Sequence, residues 1–590
     1  MGSVSEQQIN VEVPVLIVGG GPTGLLAAYL LSKFGVKSLI VEKYPQRLAA
    51  PKAHALCPRT LEICRQFGLD TAALRRLGTC RDDAYWVNFL TNLSGERIGR
   101  LPYERMDTAV LEDTPEMIHN IPQPDFEAFI AAQLKDDPNV EIRKAVGFIS
   151  CEQIEDNVIT TVEERGTKAT YKIRSRHVIG CDGAKSQVRK SLGIQSEGED
   201  SYETMMTIHF NADLRPVVGE RVGMLHWITD PGCSGFIIAY DLSGNQVLIS
   251  NFDSERYPVE SWTEDIARAT VRSAIGRDDV PFDVLSYRPW ILSRKVSEQY
   301  HVGNVFLAGD AAHSFPPTGG LGLNSGLADV HNLAYKIAAV HQGWATPKLL
   351  ATYGDERRAI AMVNSMQSVK NGKTIFRFLK TLGTAGIKDV EEARASLLRS
   401  IHDPNKQKMI ADEVEGQREH FDNLEIHIGY VYGRKEPPAN ASKFSPKFVP
   451  GARLPHAWIN LKNSSDLPGI DVSYVKEFSQ QDIEARRYST LDLCPYDKFT
   501  LIASSRTEWE ERFMDLQKSI EDHDIQICFR TAGEDFRFVD EKYASLFAKE
   551  ARLGSGGGLL VRPDQHILRV LGSDDKAEEL STAILRHLGR

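Results

Sequence analysis

The run VEVPVLIVGGGPTGLLAAYLLSKFGVKSLIVEKY, residues 11–44, constrains the fold more than any other stretch of the chain. VPVLIVG is apolar enough for a buried strand, and SLIVE reads as a second one. Between them PTGLLAAYLLSKFG has helical periodicity, with Pro22 at a favoured first-turn position and Gly35 as a stop. Strand, helix and strand in that order make a βαβ unit, whose strands are parallel. At the first strand-to-helix turn Gly19, Gly21 and Gly24 form G-x-G-x-x-G. Glycines there permit a tight turn and close approach of backbone to a pyrophosphate. The helix start, with Pro22 and Thr23 at its head, offers free N–H groups and the positive end of its dipole. Glu42 closes the second strand about 20 residues on, where a carboxylate can accept hydrogen bonds from a ribose, and Lys43 follows it. An α/β, Rossmann-type dinucleotide-binding domain is expected.

That fingerprint does not separate NAD from FAD. A second motif, NVFLAGDAAHSFPPTGGLGLNSGLADVHNLAYKIA at 304–338, does. Its strand ends at Gly309 and Asp310, and its glycine-rich turn, with Gly320, Gly322, Leu323 and Asn324, opens a helix whose N-terminus suits an anion or a flavin ring. Asp310 is placed to hydrogen-bond a ribityl chain. A third segment, CDGAKSQVRKSLG at 181–193, carries Asp182, Gly183, Ser186 and Arg189.

These three motifs, in this order, resemble the FAD-dependent aromatic hydroxylases of the p-hydroxybenzoate hydroxylase fold, and among them the phenol hydroxylase branch. IPQPDFEAFI at 121–130, with Gln123 where the family has a flavin-contacting glutamine, and YGDERRA at 353–359 extend the match. The resemblance covers about residues 11–360. Beyond it IHIGYVY, PGARLPH and LVRPDQHI are similar to the thioredoxin-like C-terminal domain of that branch. Cys494 is followed by PYD, so that domain lacks C-x-x-C and is assigned no disulfide chemistry. Many relatives carry arginine where Lys52 stands, and lysine does not reproduce a bidentate phosphate contact.

The implied architecture is α/β: a Rossmann-type FAD-binding domain from 1–85, 115–195 and 300–400, and an inserted antiparallel-sheet substrate domain from 86–114 and 196–299. A connecting segment, 401–460, leads to a thioredoxin-like α/β domain, 461–590. The short alternating runs between 196 and 300, such as TMMTIHFNADL and SGFIIAYDL, suit the inserted sheet. Between 400 and 460 the helical pattern gives way to polar, proline-rich sequence.

The resemblance implies a reaction as well. NAD(P)H reduces FAD, O2 adds to give a flavin C4a-hydroperoxide, and an electron-rich aromatic ring takes the distal oxygen, while the protein supplies position, water exclusion and proton control. No other G-x-G-x-x-G lies between a strand and a helix, so NADPH is expected as a transient co-substrate without a nicotinamide domain of its own. A phenol, with a pKa of about 10, is a poor nucleophile until deprotonated. In KAHALCPRTLE His54 stands where the phenol hydroxylase branch carries an aspartate beside the substrate hydroxyl, and a neutral imidazole can accept that proton. Arg59, in the helix that follows, is expected to anchor the cofactor. His226, Trp227, Tyr240, Asn251, Trp290 and Arg294 are candidate substrate contacts from the sheet. Pro317, beside Pro316, is a candidate for both substrate and flavin. His313 is expected to be structural beneath the flavin.

Two other readings stay open at this point. Oxidative dearomatisation, ring opening or Baeyer–Villiger-type oxygen insertion would use the same motifs, and a flavin-binding redox sensor would need FAD but no substrate. A flavin halogenase is disfavoured because the tryptophans include no pair two residues apart followed by Ile-Pro, the pattern those enzymes resemble. With a net charge of −10, nucleic acid and anionic membrane are not expected partners, and a homodimer is compatible with the sequence. The eight cysteines form no C-x-x-C pair and no zinc-ligand spacing, so no metal is expected. The polar, acidic N-terminus and the lack of a spanning apolar run suggest a cytoplasmic protein.

Overall fold

The computed structural model describes residues 9–46, 53–199, 204–251, 258, 261–462 and 467–590. Val15–Val18, wholly apolar, lie in the middle of the first sheet and are buried on both faces. The strand Val11–Val18 pairs in parallel with Ser38–Glu42 on one side and Thr170–Gly180 on the other. Val140–Lys144 extends the sheet beyond Ser38–Glu42, and Val305–Leu307 beyond Thr170–Gly180, both again parallel. The glycine turn, Cys181 and Gly309 therefore emerge side by side at the carboxyl ends of adjacent strands, where parallel sheets hold their ligands. Helices Pro22–Lys33 and Leu321–Gln342 pack together on this sheet. Eighteen residues of the second are buried, so it has no solvent face to speak of.

A second sheet joins two distant stretches of sequence. In order across it lie Phe282–Ile291, Thr204–Ala212, Asn245–Asn251, Gly235–Asp241, Leu225–Ile228, Trp86–Leu90 and Arg97–Pro102. Only the pair Leu225–Ile228 with Trp86–Leu90 is parallel among these described strands. Side chains alternate between its faces. Val87, Phe89, Leu225, Trp227, Ile238, Tyr240, Val247 and Ile249 share one core with Ala55 and Tyr103. Leu90, Ile228, Ile237, Ala239 and Leu248 share another with Ala267, Val271 and Ile275 of the covering helix Glu264–Ile275. Only the first face looks toward the glycine turns.

The stretch expected to be a connection contributes more than that. Helices Gln407–Glu415, Arg418–Phe421 and Leu424–Ile428 lie within it, and Ile410, Val414 and Phe421 enter the core of the first face. The proline-rich part after Gly433 stays irregular, as residues without free N–H groups dictate.

In the C-terminal region, Phe499–Ala503 pairs in parallel with Ile527–Thr531 across helix Arg506–Ile520, and antiparallel with Gly558–Val561. Ile567–Leu571 completes a hairpin with Gly558–Val561, and helix Ala577–His587 closes the chain. The region is thus a βαβ unit followed by a hairpin and a helix, and Cys494 is a free, buried thiol. The region docks through buried charge. Glu62 accepts from Arg453 at 2.8 and 2.6 Å, from Arg59 at 3.1 Å and from the Thr114 hydroxyl at 2.7 Å. Arg562 reaches Glu356 at 2.6 Å and Asp564 at 2.6 Å, and Lys336 donates to Glu356 at 2.7 Å.

Candidate active site

At the first glycine turn the three glycines do different work. A Cβ on Gly19, whose φ is +110°, would lie 2.4 Å from the Cys181 carbonyl, and one on Gly24 would lie 2.0 Å from the Gly19 carbonyl. Those two positions are closed by the chain itself. A Cβ on Gly21 would meet nothing within 4 Å, so its backbone borders open space at the helix N-terminus. Glu42 is fixed at the edge of that space, accepting from Gly20 N at 2.7 Å and Tyr44 N at 2.8 Å. Lys43 is exposed beside it, with its ammonium over the Tyr44 ring. Thr23 binds the segments together: its Oγ1 lies 2.7 Å from where a Cβ on either Gly309 or Gly326 would be.

The second turn hangs on Asp329, a residue that the sequence reading passed over. Its carboxylate is completely buried and accepts from Gly309 N at 3.1 Å, His313 Nε2 at 2.8 Å and Arg357 Nε at 2.9 Å. Burial alone would raise its pKa, but His313 and Arg357 hold it below the usual carboxylate range. Asp310 stands exposed at the turn. Asp182 spends its carboxylate on local capping, accepting from the Ser186 hydroxyl at 2.5 Å and Gln187 N at 2.6 Å. The adjacent Gly183, at φ +83°, borders open space. Asn324 is also fully used: Oδ1 accepts from Cys57 N and Thr60 Oγ1, while Nδ2 donates to Ala55 O and Gly320 O, all at 2.8–2.9 Å. This amide ties the loop carrying His54 to the second glycine turn. Pro317 is exposed on that turn and its carbonyl accepts from Gly320 N, while Leu323 packs on the core and Gly322 faces open space. Gln123 donates to Glu127 at 2.7 Å, and its own N–H binds the Ala53 carbonyl one residue before His54.

His54 lies between two tyrosines. Its ring stacks on Tyr103 at 6.2 Å and 20°, and meets Tyr240 edge-on at 6.0 Å and 84°. Nδ1 is 3.0 Å from Asn120 Oδ1. With the amide so oriented, Nδ1 carries the proton and Nε2 keeps its lone pair. Burial pushes the imidazole pKa down to about 4, with the Asn120 contact opposing, so the ring is neutral throughout the physiological range. Behind Tyr103, Glu104 and Arg105 both have positive φ, +43° and +50°. The Glu104 carboxyl is buried 3.3 Å from His427 Nδ1, and burial, with Asp422 adding to it, pushes its pKa well up.

Strand parity sorts the remaining candidates. Trp227, Tyr240 and Trp290 belong to the face toward His54, and Asn251, two residues beyond Ile249, shares it. Trp227 is packed among Phe89, Phe236, His420 and Phe421, and Trp290 Nε1 donates to Thr207 Oγ1 at 2.8 Å. His226 is a correction: it pairs with Asn88 on the opposite face, is fully buried, and cannot reach a ligand at the glycine turns. Arg59 is another. Its guanidinium is buried against Glu62, Gln565 and the Asp564 carbonyl, so it anchors the C-terminal region and not a cofactor. Arg294 is half-buried, with Nε 3.3 Å from Ser365 Oγ on the long helix Lys348–Thr381. Lys52 lies outside the described residues.

Against known families, residues 12–368 match the FAD binding domain model. The chain belongs to this FAD-binding family. Among curated relatives of the family member described here, the 2,4-dichlorophenol 6-monooxygenase of Cupriavidus pinatubonensis is 29% identical, over 99% of this chain and 97% of its own length. The tetracenomycin B2 monooxygenase-dioxygenase of Streptomyces olivaceus is 28% identical, over 98% and 99%. The crystal structure of the flavin-dependent monooxygenase PieE, in complex with FAD and substrate, superposes with a TM-score of 0.86 at 26% identity, covering 99% of this chain and all of that one. The protein is an FAD-dependent monooxygenase of the aromatic hydroxylase type.

The residues fit that cofactor. Gly21, Gly183 and Gly322 present bare backbone to open space from three separate segments; Thr23 packs on Gly309 and Gly326, Asp329 holds Gly309 N, and Arg189 donates to the Ala311 carbonyl at 2.7 Å. Asn120 and Tyr103, the partners of His54, carried no sequence signal of their own. Asp329 did, as the one acid in the helical stretch GLADVHNLAYKIAAV. Among the described residues no cluster of side chains could hold a metal ion, and no helix is long and apolar enough to cross a membrane.

Proposed function

We propose that this flavoenzyme hydroxylates a phenolic or polyketide-type aromatic ring, with His54 as the base that takes the phenol proton. The observation that carries this reading is the His54 site itself: a neutral imidazole, its Nδ1 proton committed to Asn120, between two tyrosines on a loop tied through Asn324 to the second glycine turn. When bound, FAD supplies the activation of O2 by electrons from NAD(P)H. Everything else falls to the chain. Nε2 accepts the phenol proton, which makes the ring carbon electron-rich at the moment it needs to be. Burial disfavours the imidazolium, so above about pH 4 the ring is neutral and its Nε2 lone pair is free to accept a hydrogen bond from the phenol. Tyr103 and Tyr240 enclose the ring and exclude water, and Trp290 and Asn251 extend the wall along the same sheet face. Gly21, Glu42, Gly183, Asp310, Gly320 and Gly322 line the cofactor cradle.

The test is a screen of NADPH oxidation by the FAD-loaded protein against phenolic acids, resorcinols and polyketide phenols, with product masses. A phenol that stimulates oxidation and gains one oxygen atom with its ring count unchanged is the expected result. A gain of oxygen with a ring opened would replace hydroxylation by ring cleavage, and an NADPH rate indifferent to every phenol would favour a redox sensor.

A further inference from the structure

Beside the second glycine turn lies a cavity of about 470 Å³ that no step above uses. One wall is the long helix, which presents Met366, Val369, Lys370, Lys373, Thr374 and Arg377; the other is Arg294. Lys370, Lys373, Thr374 and Arg377 are spaced three and four apart, so they share one helix face. The same helix holds the turn directly, since Thr318 Oγ1 donates to the Ser368 carbonyl at 2.8 Å. The cavity thus lies on the same helix that holds the second glycine turn.

Its charge is unusual for this chain. Four cations line it on a protein of net charge −10, and no acid does. Lys370 and Arg377 are steadied from outside by Glu419 at 2.8 Å and Glu413 at 2.9 Å, in pairs whose cations remain about half exposed. Exposed pairs of this kind hold little energy and exchange readily for a stronger anion. Lys373, between them, has no ion pair or hydrogen bond with any described residue, and Arg294 commits only Nε.

We propose that this groove binds the pyrophosphate and 2′-phosphate of NADPH and so delivers the coenzyme to the flavin. The inference rests on the monooxygenase reading. Spacing favours phosphates over a substrate carboxylate. Lys370 to Arg377 spans about 10 Å along the helix, and an array of that length matches the pyrophosphate together with the distant 2′-phosphate of NADPH, whereas one carboxylate is satisfied by a single arginine fork. Met366 and Val369 supply an apolar floor for a flat ring. The groove also answers how a chain without a second dinucleotide fold can bind the coenzyme: transiently, through charge.

The experiment uses the FAD-loaded full chain and its Lys373→Glu, Lys373→Arg and Lys370→Ala/Lys373→Ala variants. Binding of NADP+ to the oxidised enzyme is measured by calorimetry, and KM values are measured separately for NADPH and for a stimulating phenol. Charge reversal at Lys373 is expected to weaken NADP+ binding and raise the NADPH KM about tenfold, a loss the size of one charge-assisted contact. The KM for the phenol, kcat at saturating NADPH and FAD content should stay within twofold, and Lys373→Arg should be near the parent. The wild-type NADPH KM should rise with ionic strength more steeply than that of the double variant. Unchanged NADP+ binding in all variants would overturn the proposal while leaving the monooxygenase reading intact. A rise confined to the phenol KM would hand the groove to an anionic substrate and overturn it equally. If the wild-type enzyme oxidised no NADPH with any phenol, the monooxygenase reading would fail and this inference with it.

Discussion

Two buried polar regions sit on either side of one short helix, and they are built on opposite principles. On the side of the C-terminal region, Arg59, Glu62, Arg453, Arg562, Asp564, Glu356 and Lys336 form a clasp in which every charge meets its opposite. On the other side His54 has one partner, Tyr240 offers its hydroxyl to no described residue, and Glu104 lies buried with no cation beside it. A satisfied network rigidifies; an unsatisfied one is tolerated only where something else completes it. Burial of polar groups is thus common to both regions, and the unspent hydrogen-bonding capacity is what distinguishes a site of chemistry from a joint.

The comparison can be broken first at the joint. Removing one member of a buried pair leaves the other uncompensated, at a cost of about 3–5 kcal/mol. Arg453→Met should lose stability of that order in chemical denaturation, because Glu62 would keep only Arg59 and Thr114. The triple change Arg453→Met, Glu62→Leu and Arg59→Met should recover much of it, since none of the three charges is then stranded. If the single variant were as stable as the parent, the clasp would not be what fastens the C-terminal region.

His54→Ala makes the opposite split. It removes a neutral ring with a single hydrogen bond, so the stability loss should stay below that at the joint, while turnover with a phenol should fall by roughly a hundredfold, the lower range for loss of a general base. NADPH oxidation should continue but yield hydrogen peroxide. Coupled turnover at the parent rate would leave the tyrosine pair as a mere wall.

pH sharpens the contrast because carboxylates in the two settings shift in opposite directions. Burial alone would raise the Glu62 pKa, but Arg453 and Arg59 bring it down to about 2. Its contribution to stability is therefore complete above the unfolded value near 4.5 and is lost as pH falls from there toward 2. Asp422, on the side of Glu104, is pushed up to about 7 by burial, against the pull of Arg105. Ionising it in the folded protein is unfavourable, so it withdraws stability as pH rises from about 4 to 7 and the penalty stays constant above. Asp422→Asn should consequently raise stability by roughly 4 kcal/mol at pH 8 and change it little at pH 4. An equal effect at both pH values would mean that Asp422 does not titrate in this interval.

How far the sequence foretold these regions depended on the range of the interactions. The glycine turns were legible because a βαβ unit with its turn chemistry is local: Gly19, Gly21, Gly24 and Glu42 fall within one supersecondary unit. The two-face assignment of the second sheet needed only strand parity, yet His226 was placed beside Trp227 because adjacent aromatic residues were read without asking which face each takes. Arg59 was misjudged for a different reason: its partner Asp564 is 505 positions away. The same holds at the site, where Asn120 reaches His54 across 66 positions with no repeating pattern to announce it. The helices at 407–428 were missed because prolines just beyond them dominated the reading of the whole stretch.

The finest probe of the comparison is Tyr240→Phe. Its ring packs edge-on to His54, and the substitution keeps that contact while deleting only the hydroxyl. At a joint such a deletion would strand a partner and cost stability. Here no described residue is left unpaired, so the melting temperature should stay within about 1 °C, a change corresponding to a small fraction of a kcal/mol. A hydroxyl that instead contacts the aromatic substrate is worth about 0.5–1.5 kcal/mol, so the KM for the phenol should rise by roughly two- to tenfold with kcat near the parent value. Parent-like KM with lowered stability would reverse the assignment and make Tyr240 part of the framework.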